Sequence, residues 1–169
     1  SIRQQRQMCI RDSFSGDSGN LLFMGRTGLG KTYLSACIAM EVAARGYEVR
    51  YYPAQALIDR FERVRFNREA GADDLTAMRE ILSCDLLILD DLGAEFATAY
   101  SQSVLYQVIN DRMTEGRATI ISTNLDLPAL SKAYNERILS RLIGSYTMLG
   151  FVGRDIRQQK LARRREGNA

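Results

Sequence analysis

The sequence of 169 residues contains no histidine and only three cysteines, Cys9, Cys37 and Cys84, which are far apart and form no CxxC pair. A structural zinc site needs four clustered ligands, so these absences argue against one. Cys37 and Cys84 stand in apolar stretches, and we expect both to be buried thiols. The pattern is typical of a chain from a reducing, cytoplasmic compartment.

Long hydrophobic runs are also missing, because every apolar stretch is interrupted within a few residues. A membrane-spanning helix needs about 20 apolar residues, and a secretory signal needs an apolar core behind a basic start. Neither is visible, and we expect no membrane partner. With 46% hydrophobic and 25% charged residues, the composition is that of one globular domain.

The net charge of +3 is unevenly distributed, because residues 1–13 and 154–166 are basic and the stretch between them is acidic. A basic tail favours a phosphate-rich partner, although such tails also serve only to solubilise a chain. Residues 1–13 resemble translated sequencing-adapter read-through, and the alternative is an ordinary basic linker. We therefore expect a non-native or linker segment at 1–17, a domain at 18–160 and a basic tail at 161–169, with an N-terminal portion of the natural protein missing.

Hydrophobic periodicity predicts strands that alternate with helices. The predicted strands are Asn20–Met24, Glu48–Tyr52, Cys84–Leu89, Ala118–Ser122 and Tyr146–Phe151. The predicted helices are Lys31–Arg45, Ala54–Arg68, Leu75–Ser83, Ser101–Thr114 and Asn135–Leu142, with a loop at Gly71–Asp74. This alternation predicts an α/β fold with a mainly parallel five-stranded sheet flanked by helices.

A glycine-rich loop links the first predicted strand to the first helix. Its residues are Gly25, Arg26, Thr27, Gly28, Leu29, Gly30, Lys31 and Thr32, a full match to G-x-x-x-x-G-K-[ST]. The glycines let backbone N–H groups face phosphate oxygens, and the helix N-terminus adds positive potential. We expect Lys31 to reach the β- and γ-phosphates of ATP and the Thr32 hydroxyl to ligate Mg²⁺. Tyr33 completes the expected nucleotide-binding set.

The apolar run Leu86–Leu89 ends in two carboxylates, Asp90 and Asp91. A carboxylate at the end of a buried strand suits Mg²⁺ and its water shell, so we assign Asp90 to the metal. Asp91 is then positioned to polarise the attacking water. The spacing from the phosphate loop makes this second half of the site specific.

Four segments together resemble the AAA+ ATPases of the DnaC/DnaI helicase-loader type and their relatives, the IstB-like ATPases. They are LLFMGRTGLGKTYLSACIA, LLILDDLGAE, TIISTNL and NERILSRLIGSYTML. The resemblance covers residues 18 to 160. It implies an AAA+ core that binds ATP, with catalytic residues supplied partly by a neighbouring subunit.

The resemblance assigns further roles. Asn124, after the fourth strand, matches sensor 1, which contacts the γ-phosphate or the lytic water; the alternative is a plain turn before Pro128. Arg141 matches the arginine finger that acts on a neighbour's nucleotide in a homo-oligomer, and Arg137 on the same helical face could assist. Arg157 matches the position that stands in for sensor 2.

Asp91 departs from the family pattern, in which Glu usually follows the first Asp of the strand. The shorter side chain withdraws the carboxylate, so we expect slow, switch-like hydrolysis. Glu95 in the following loop is a fallback base.

Arginines alternate with aromatic residues in the second predicted helix, as suits single-stranded DNA, where cations follow phosphates and rings stack on bases. The expected contacts are Arg60, Phe61, Arg65, Phe66 and Arg68. The alternative is that the phenylalanines pack on the sheet and leave the arginines solvated.

We therefore expect a cytoplasmic AAA+ ATPase that grips single-stranded DNA and loads a replicative helicase, contacted through the missing N-terminal region. The alternatives are a transposition helper that delivers a transposase, a small-molecule kinase, and a non-hydrolysing DNA-binding adaptor. A kinase would need a mobile lid and an acceptor pocket, and the Asp pair, sensor Asn and distal Arg fit AAA+ better.

Overall fold

The computed structural model describes residues 19–66, 71–95 and 97–153, and these form one five-stranded sheet with six helices. The strands are β1 (Leu21–Met24), β2 (Val49–Pro53), β3 (Leu86–Leu92), β4 (Ala118–Thr123) and β5 (Thr147–Gly150). Their order across the sheet is β2-β3-β4-β1-β5, and every neighbouring pair is parallel. The predicted α/β fold with a parallel five-stranded sheet is confirmed.

The helices are α1 (Lys31–Ala44), α2 (Ala54–Phe66), α3 (Ala72–Ser83), α4 (Ala99–Thr114), α5 (Leu127–Ala133) and α6 (Glu136–Ser145). Within the described ranges, no helix is long and apolar enough to cross a membrane.

Both faces of the sheet are covered, which is why its central strands are apolar throughout. On one face, α1 packs Leu34, Ile38 and Val42 against alternate strand residues. Those strand residues are Leu21, Phe23, Leu86, Ile88, Ala118 and Ile120. The intervening residues, Leu22, Leu87, Leu89 and Ile121, face the larger core that α2 to α6 contribute to.

The strand order brings three loops together at the carboxyl edge of the sheet. Because β4 lies between β1 and β3, the segments that follow these three strands are neighbours in space. The glycine-rich loop and Asn124 lie in the segments after β1 and β4, and the two aspartates lie near the end of β3 itself. Open parallel sheets place their sites at this edge.

Helix α5 was not predicted, because the sequence analysis assigned no element to the segment around Pro128. Asp126 is its N-cap, and its carboxylate accepts a hydrogen bond of 2.9 Å from the amide of Ala129. Asp at the N-cap followed by Pro in the first turn is a helix-start signal that the shortness of the segment obscured.

Other boundaries differ by a few residues. Strand β3 begins at Leu86 and extends to Leu92, so both aspartates belong to the strand instead of following it. Helix α3 begins at Ala72, with Asp73 and Asp74 in its first turn, where the helix dipole favours acidic side chains. Helix α4 begins at Ala99 because Thr98 and Ser101 form a capping box.

The two described cysteines differ in burial. Cys84 is fully buried, as expected, and burial raises the pKa of its thiol. Cys37 is only half-buried, so the expectation for it was wrong. The segments 1–17 and 161–169, together with Arg157, lie outside the described residues.

A buried arginine joins α4 to the amino-terminal ends of β3 and β4, at the edge of the sheet opposite the three loops. Arg112 is fully buried, and its guanidinium donates to the carbonyls of Ile81 (2.8 Å), Cys84 (3.0 Å) and Ala118 (2.7 Å). It also donates to Thr119 Oγ1 at 3.0 Å. Burial lowers the pKa of Arg112. The planar fork of donors allows one side chain to satisfy carbonyls from α3, the turn after it and β4.

We predict that Arg112→Ala destabilises the fold by about 3 to 5 kcal/mol, because it leaves several buried carbonyls without donors. Urea unfolding followed by circular dichroism measures the free energy. The exposed Arg79 on α3 is the matched control, and Arg79→Ala should change stability by less than about 0.5 kcal/mol. A loss below about 1 kcal/mol for Arg112→Ala would show that water replaces the guanidinium.

Candidate functional site

The glycine-rich loop leaves the start of α1 open to an anion. Gly30 is the N-cap in a left-handed conformation (φ 95°), and within the described residues no side chain caps this helix end. The first amides of α1 are therefore available to a ligand, and the helix dipole favours a negative one. This geometry suits a phosphate group.

Gly25 is the first residue of the loop, and no side chain fits at its position. A Cβ at this position would lie 2.4 Å from the carbonyl oxygen of Phe151, and the backbone φ is +150°. The close approach of the residue after β5 to the loop explains why the first glycine of the motif is required here.

Lys31 lies folded back across the loop and is 6% exposed. Its ammonium donates to the carbonyls of Gly25 (2.5 Å) and Arg26 (3.0 Å) and to Asn124 Oδ1 (2.8 Å). Burial lowers the pKa of Lys31, and the nearby Asp91 and Asp90 act in the opposite direction. The lysine and the predicted sensor asparagine are thus in direct contact at the carboxyl edge.

The carboxylate of Asp90 accepts hydrogen bonds from hydroxyl groups on three other elements. Thr32 Oγ1 of α1 donates to Oδ2 at 3.0 Å, and Tyr51 Oη of β2 donates to the same oxygen at 2.5 Å. Ser122 Oγ of β4 donates to Oδ1. Burial, followed by the hydrogen bond to Asp90, raises the pKa of Tyr51. Tyr51 and Ser122 were not predicted as site residues.

A β-bulge turns both aspartates toward the site. The pairing of β3 with β4 is regular as far as Leu89, then shifts so that Asp90 and Asp91 together lie opposite Ser122. Asp91 has a left-handed φ of 60°, a conformation that Asp adopts more readily than most residues. Its amide donates to Ser122 Oγ at 3.1 Å, and its Oδ1 accepts from Asn124 Nδ2 at 3.0 Å. Asn124 therefore joins Lys31 to Asp91.

The oxygen donors at this position fit Mg²⁺. Magnesium prefers hard oxygen ligands and is usually held by one or two protein groups together with substrate phosphates. The Thr32 hydroxyl and the Asp90 carboxylate are already 3.0 Å apart beside the open start of α1. These two residues would hold the cation, which would neutralise part of the phosphate charge.

Glu95 is buried and hydrogen-bonded in the loop after β3. The residue is 8% exposed. Its carboxylate accepts one hydrogen bond from the hydroxyl of Tyr134 and another, of 2.7 Å, from the amide of Gly93. Burial raises the pKa of Tyr134, and the hydrogen bond to Glu95 contributes. Glu95 thus holds the loop after β3 against the end of α5, and its role as a fallback base stays a prediction.

Arg141 lies apart from the cluster around Lys31. It is half-buried on α6 and donates to Asn110 Oδ1 of α4 at 2.9 Å. Arg137, one turn earlier, is exposed. The structure therefore does not join Arg141 to the hydrogen-bonded site of its own chain, and its role as a finger for a neighbour stays a prediction.

A partly exposed aromatic surface forms where α2 ends and α4 begins, with Phe66 exposed and Tyr100 partly buried against the core. The rings of Phe66 and Tyr100 meet edge to face with centroids 5.2 Å apart, and Phe66 is 67% exposed. The guanidinium of Arg65 lies over both rings, 5.4 Å from the first centroid and 5.2 Å from the second. We call Arg65, Phe66 and Tyr100 the aromatic surface. Tyr100 was missed because it lies far from α2 in sequence.

The other predicted DNA contacts have different outcomes. Phe61 is 4% exposed and belongs to the core, so the prediction that it stacks on bases was wrong and the packing alternative holds. Arg60 donates to Asp74 of α3 at 2.9 Å. Arg68 lies outside the described residues.

The remaining predicted nucleotide contacts surround the loop. Arg26, Thr27 and Tyr33 are exposed, and Tyr33 is 66% exposed. Gly28 and Leu29 are partly buried between them.

The fold and the glycine-rich loop define a P-loop nucleotide-binding domain with an AAA+-type fold. The chain belongs to the IstB-like ATP-binding protein family, whose family model matches residues 4–160. ATP binding is thus the property that family membership brings to this chain.

Relatives and solved structures agree with this assignment. The replicative helicase loader DnaC of Escherichia coli (strain K12) is 26% identical over 135 residues, which are 78% of this chain and 53% of that protein. A crystal structure of the DnaC helicase loader aligns with a TM-score of 0.77 and 21% identity, covering 88% of this chain and 87% of that one. The replication initiator DnaA bound to AMPPCP and single-stranded DNA aligns with a TM-score of 0.73 and 21% identity, covering 95% of this chain and 50% of that one.

These structural likenesses show the shared fold. The chain spans about half the length of the curated relatives it matches.

Proposed function

We propose that this protein is a cytoplasmic, Mg²⁺-dependent ATPase that binds single-stranded DNA and helps to load a replicative helicase. The observation that carries the proposal is the cluster of Lys31, Thr32, Asp90, Asp91 and Asn124 at one edge of the sheet. These residue types supply a cationic side chain for the phosphates, metal ligands, a base and a sensor in one connected network.

Each side chain has a distinct role in this proposal. The amides of the loop and Lys31 bind the phosphates, so Lys31 exchanges its loop carbonyls for phosphate oxygens when ATP arrives. Thr32 and Asp90 would hold Mg²⁺, which would neutralise charge on the phosphates. Asp91 accepts a proton from water, and Asn124, already hydrogen-bonded to Asp91, orients that water. A short Asp in the base position supports slow turnover.

The proposed DNA contact is the aromatic surface. Phe66 and Tyr100 offer ring faces and edges to bases, and Arg65 supplies positive charge beside them. The related initiator fold bound to single-stranded DNA supports this class of ligand. Tyr100, in the first turn of α4, is only nine positions after Asp91 in the sequence, so the two surfaces are close along the chain.

The partner protein has two candidates. The DnaC relatives support a replicative helicase, whereas membership of the IstB-like family supports a transposase. We favour the helicase because several relatives with that role match most of this chain. Co-purification of the tagged natural protein, with its expected N-terminal region in place, with purified helicase or with purified transposase, each with ATP and Mg²⁺, distinguishes the two.

We predict that Asp91→Asn lowers single-turnover ATP hydrolysis by about 100-fold or more, because the amide cannot accept the proton. Asn also tolerates the left-handed backbone, so the bulge should persist and ATP affinity should stay within about twofold of that of the unaltered protein. Hydrolysis is measured with radiolabelled ATP, and affinity by calorimetry. Unchanged hydrolysis would exclude Asp91 as the base, whereas absence of hydrolysis in the unaltered protein would favour the non-hydrolysing adaptor.

We predict tight binding of labelled single-stranded DNA with ATP and Mg²⁺, and weaker binding with ADP, measured by fluorescence anisotropy. Phe66→Ala and Tyr100→Ala should each weaken binding by about tenfold, within the range expected for loss of one stacked base.

Met148, 40% exposed on the edge strand β5, is the control for these variants. Met148→Ala should leave DNA affinity unchanged, and thermal unfolding checks that each variant is folded. Equal weak binding with both nucleotides, in a protein that binds ATP, would contradict the DNA-gripping role.

We predict that Arg141→Ala reduces ATP hydrolysis in an oligomer and that mixing it with Lys31→Ala restores part of the activity. The first variant keeps its loop and the second keeps its arginine, so a mixed interface joins both intact parts. Arg79→Ala mixed with Lys31→Ala is the control, and its activity should simply follow the Arg79→Ala fraction. Failure of mixing to restore activity would argue against a finger acting between subunits.

A further inference from the structure

Tyr51 stands at the open edge of the sheet, yet its hydroxyl reaches into the metal-ligand cluster. Strand β2 is an edge strand that pairs with β3 alone, with Tyr51 opposite Ile88 and Pro53 opposite Asp90. The phenol oxygen donates to Asp90 Oδ2 at 2.5 Å. The side chain thus extends along the strand direction by two positions, about 6 to 7 Å, to meet the carboxylate.

The pleat of the sheet makes this contact possible. Residues two apart on a strand share a face, so Val49 and Tyr51 lie on the face that α1 covers, as do Ile88 and Asp90 on β3. A short hydroxyl or amide side chain at position 51 would not span the offset to Asp90. Tyrosine combines the required length with a hydroxyl donor.

The hydroxyl groups around Asp90 divide its acceptor positions. An ionised carboxylate offers about four lone-pair positions, two on each oxygen. Thr32 and Tyr51 donate to Oδ2, and Ser122 donates to Oδ1. The carboxylate is therefore fixed by hydrogen bonds on both sides, and an acceptor position remains on Oδ1.

Packing does not account for the position of Tyr51. Its side chain is 47% exposed, whereas the neighbouring Tyr52 packs against the larger core on the other face. The half-exposed ring contributes little to the core, and its hydroxyl lies on a buried, charged acceptor. The contact with Asp90 is thus the distinctive feature of this residue.

We propose that Tyr51 is a positioning residue for the divalent cation: its hydroxyl fixes the carboxylate of Asp90 for the metal that accompanies the nucleotide. The proposal rests on the proposed ATP and Mg²⁺ site. Groups that orient a metal ligand from outside the coordination sphere change metal affinity when they are removed. Tyr51 should therefore set the concentration of Mg²⁺ that the site requires, with little effect on metal-free nucleotide binding.

The test is Tyr51→Phe, which removes the hydroxyl and keeps the ring. Binding of a fluorescent, non-hydrolysable ATP analogue is followed while Mg²⁺ is titrated, and again in EDTA without metal. We expect the half-saturating Mg²⁺ concentration to rise by about threefold to tenfold. The effect is smaller than for a fully buried group that hydrogen-bonds to a metal ligand, because water can partly replace the hydrogen bond from Tyr51 to Asp90. Affinity in EDTA and thermal stability should each stay close to those of the unaltered protein.

Tyr52→Phe is the matched control, since it makes the same chemical change one residue along the strand. It should leave the Mg²⁺ dependence unchanged. An unchanged or lower Mg²⁺ requirement in Tyr51→Phe, or an equal loss of affinity in EDTA, would overturn the proposal while leaving the ATPase proposal intact. Absence of any nucleotide binding by the unaltered protein would overturn both.

Discussion

A carboxylate removed from water must be hydrogen-bonded or paired, and Asp90 meets this requirement in a way that organises the site. It is 6% exposed, and the hydroxyls of Thr32, Tyr51 and Ser122 reach it from three different elements. The start of α1, the end of β2 and the end of β4 are consequently held at fixed positions relative to β3. The phosphate loop is thereby aligned with the residues that follow the central strands.

The β-bulge at Asp90 and Asp91 completes this arrangement. In a regular strand, consecutive side chains point to opposite faces, so only one of two adjacent aspartates could face the site. The bulge places both opposite Ser122, whose hydroxyl donates to Asp90 and accepts from the amide of Asp91. The left-handed backbone at Asp91 also gives a reason for a short side chain there, because Asp adopts it more easily than Glu. The departure from the family pattern thus has a conformational explanation.

The sequence predicted the parts of this site that depend on local patterns. The loop motif, the apolar strand before Asp90 and the alternation of strands and helices are local, and the fold class followed from them. Tyr51, Ser122 and Tyr100 could not be found in this way, since their contacts join strands or helices that are distant in sequence.

Other errors have equally specific causes. The arginine and phenylalanine pattern of α2 contains two faces, and sequence spacing alone did not separate the core residue Phe61 from the exposed Phe66. The contact between Glu95 and Tyr134 was not predicted, because Tyr134 lies at the end of a helix that was itself not predicted.

The hydrogen-bond acceptors of the buried Arg112 affect how this domain tolerates sequence change. Its strongest contacts are main-chain carbonyls at positions 81, 84 and 118, which every amino acid possesses. Substitutions at those positions alter side-chain packing without removing an acceptor, so the guanidinium keeps its contacts while the surrounding residues diverge. Replacement of Arg112 itself cannot be compensated by a second substitution, because the main-chain carbonyls remain whatever side chains surround them and still need donors. Constraint at this end of the domain is therefore concentrated in one residue, and its neighbours are free to vary in size and polarity as far as packing allows.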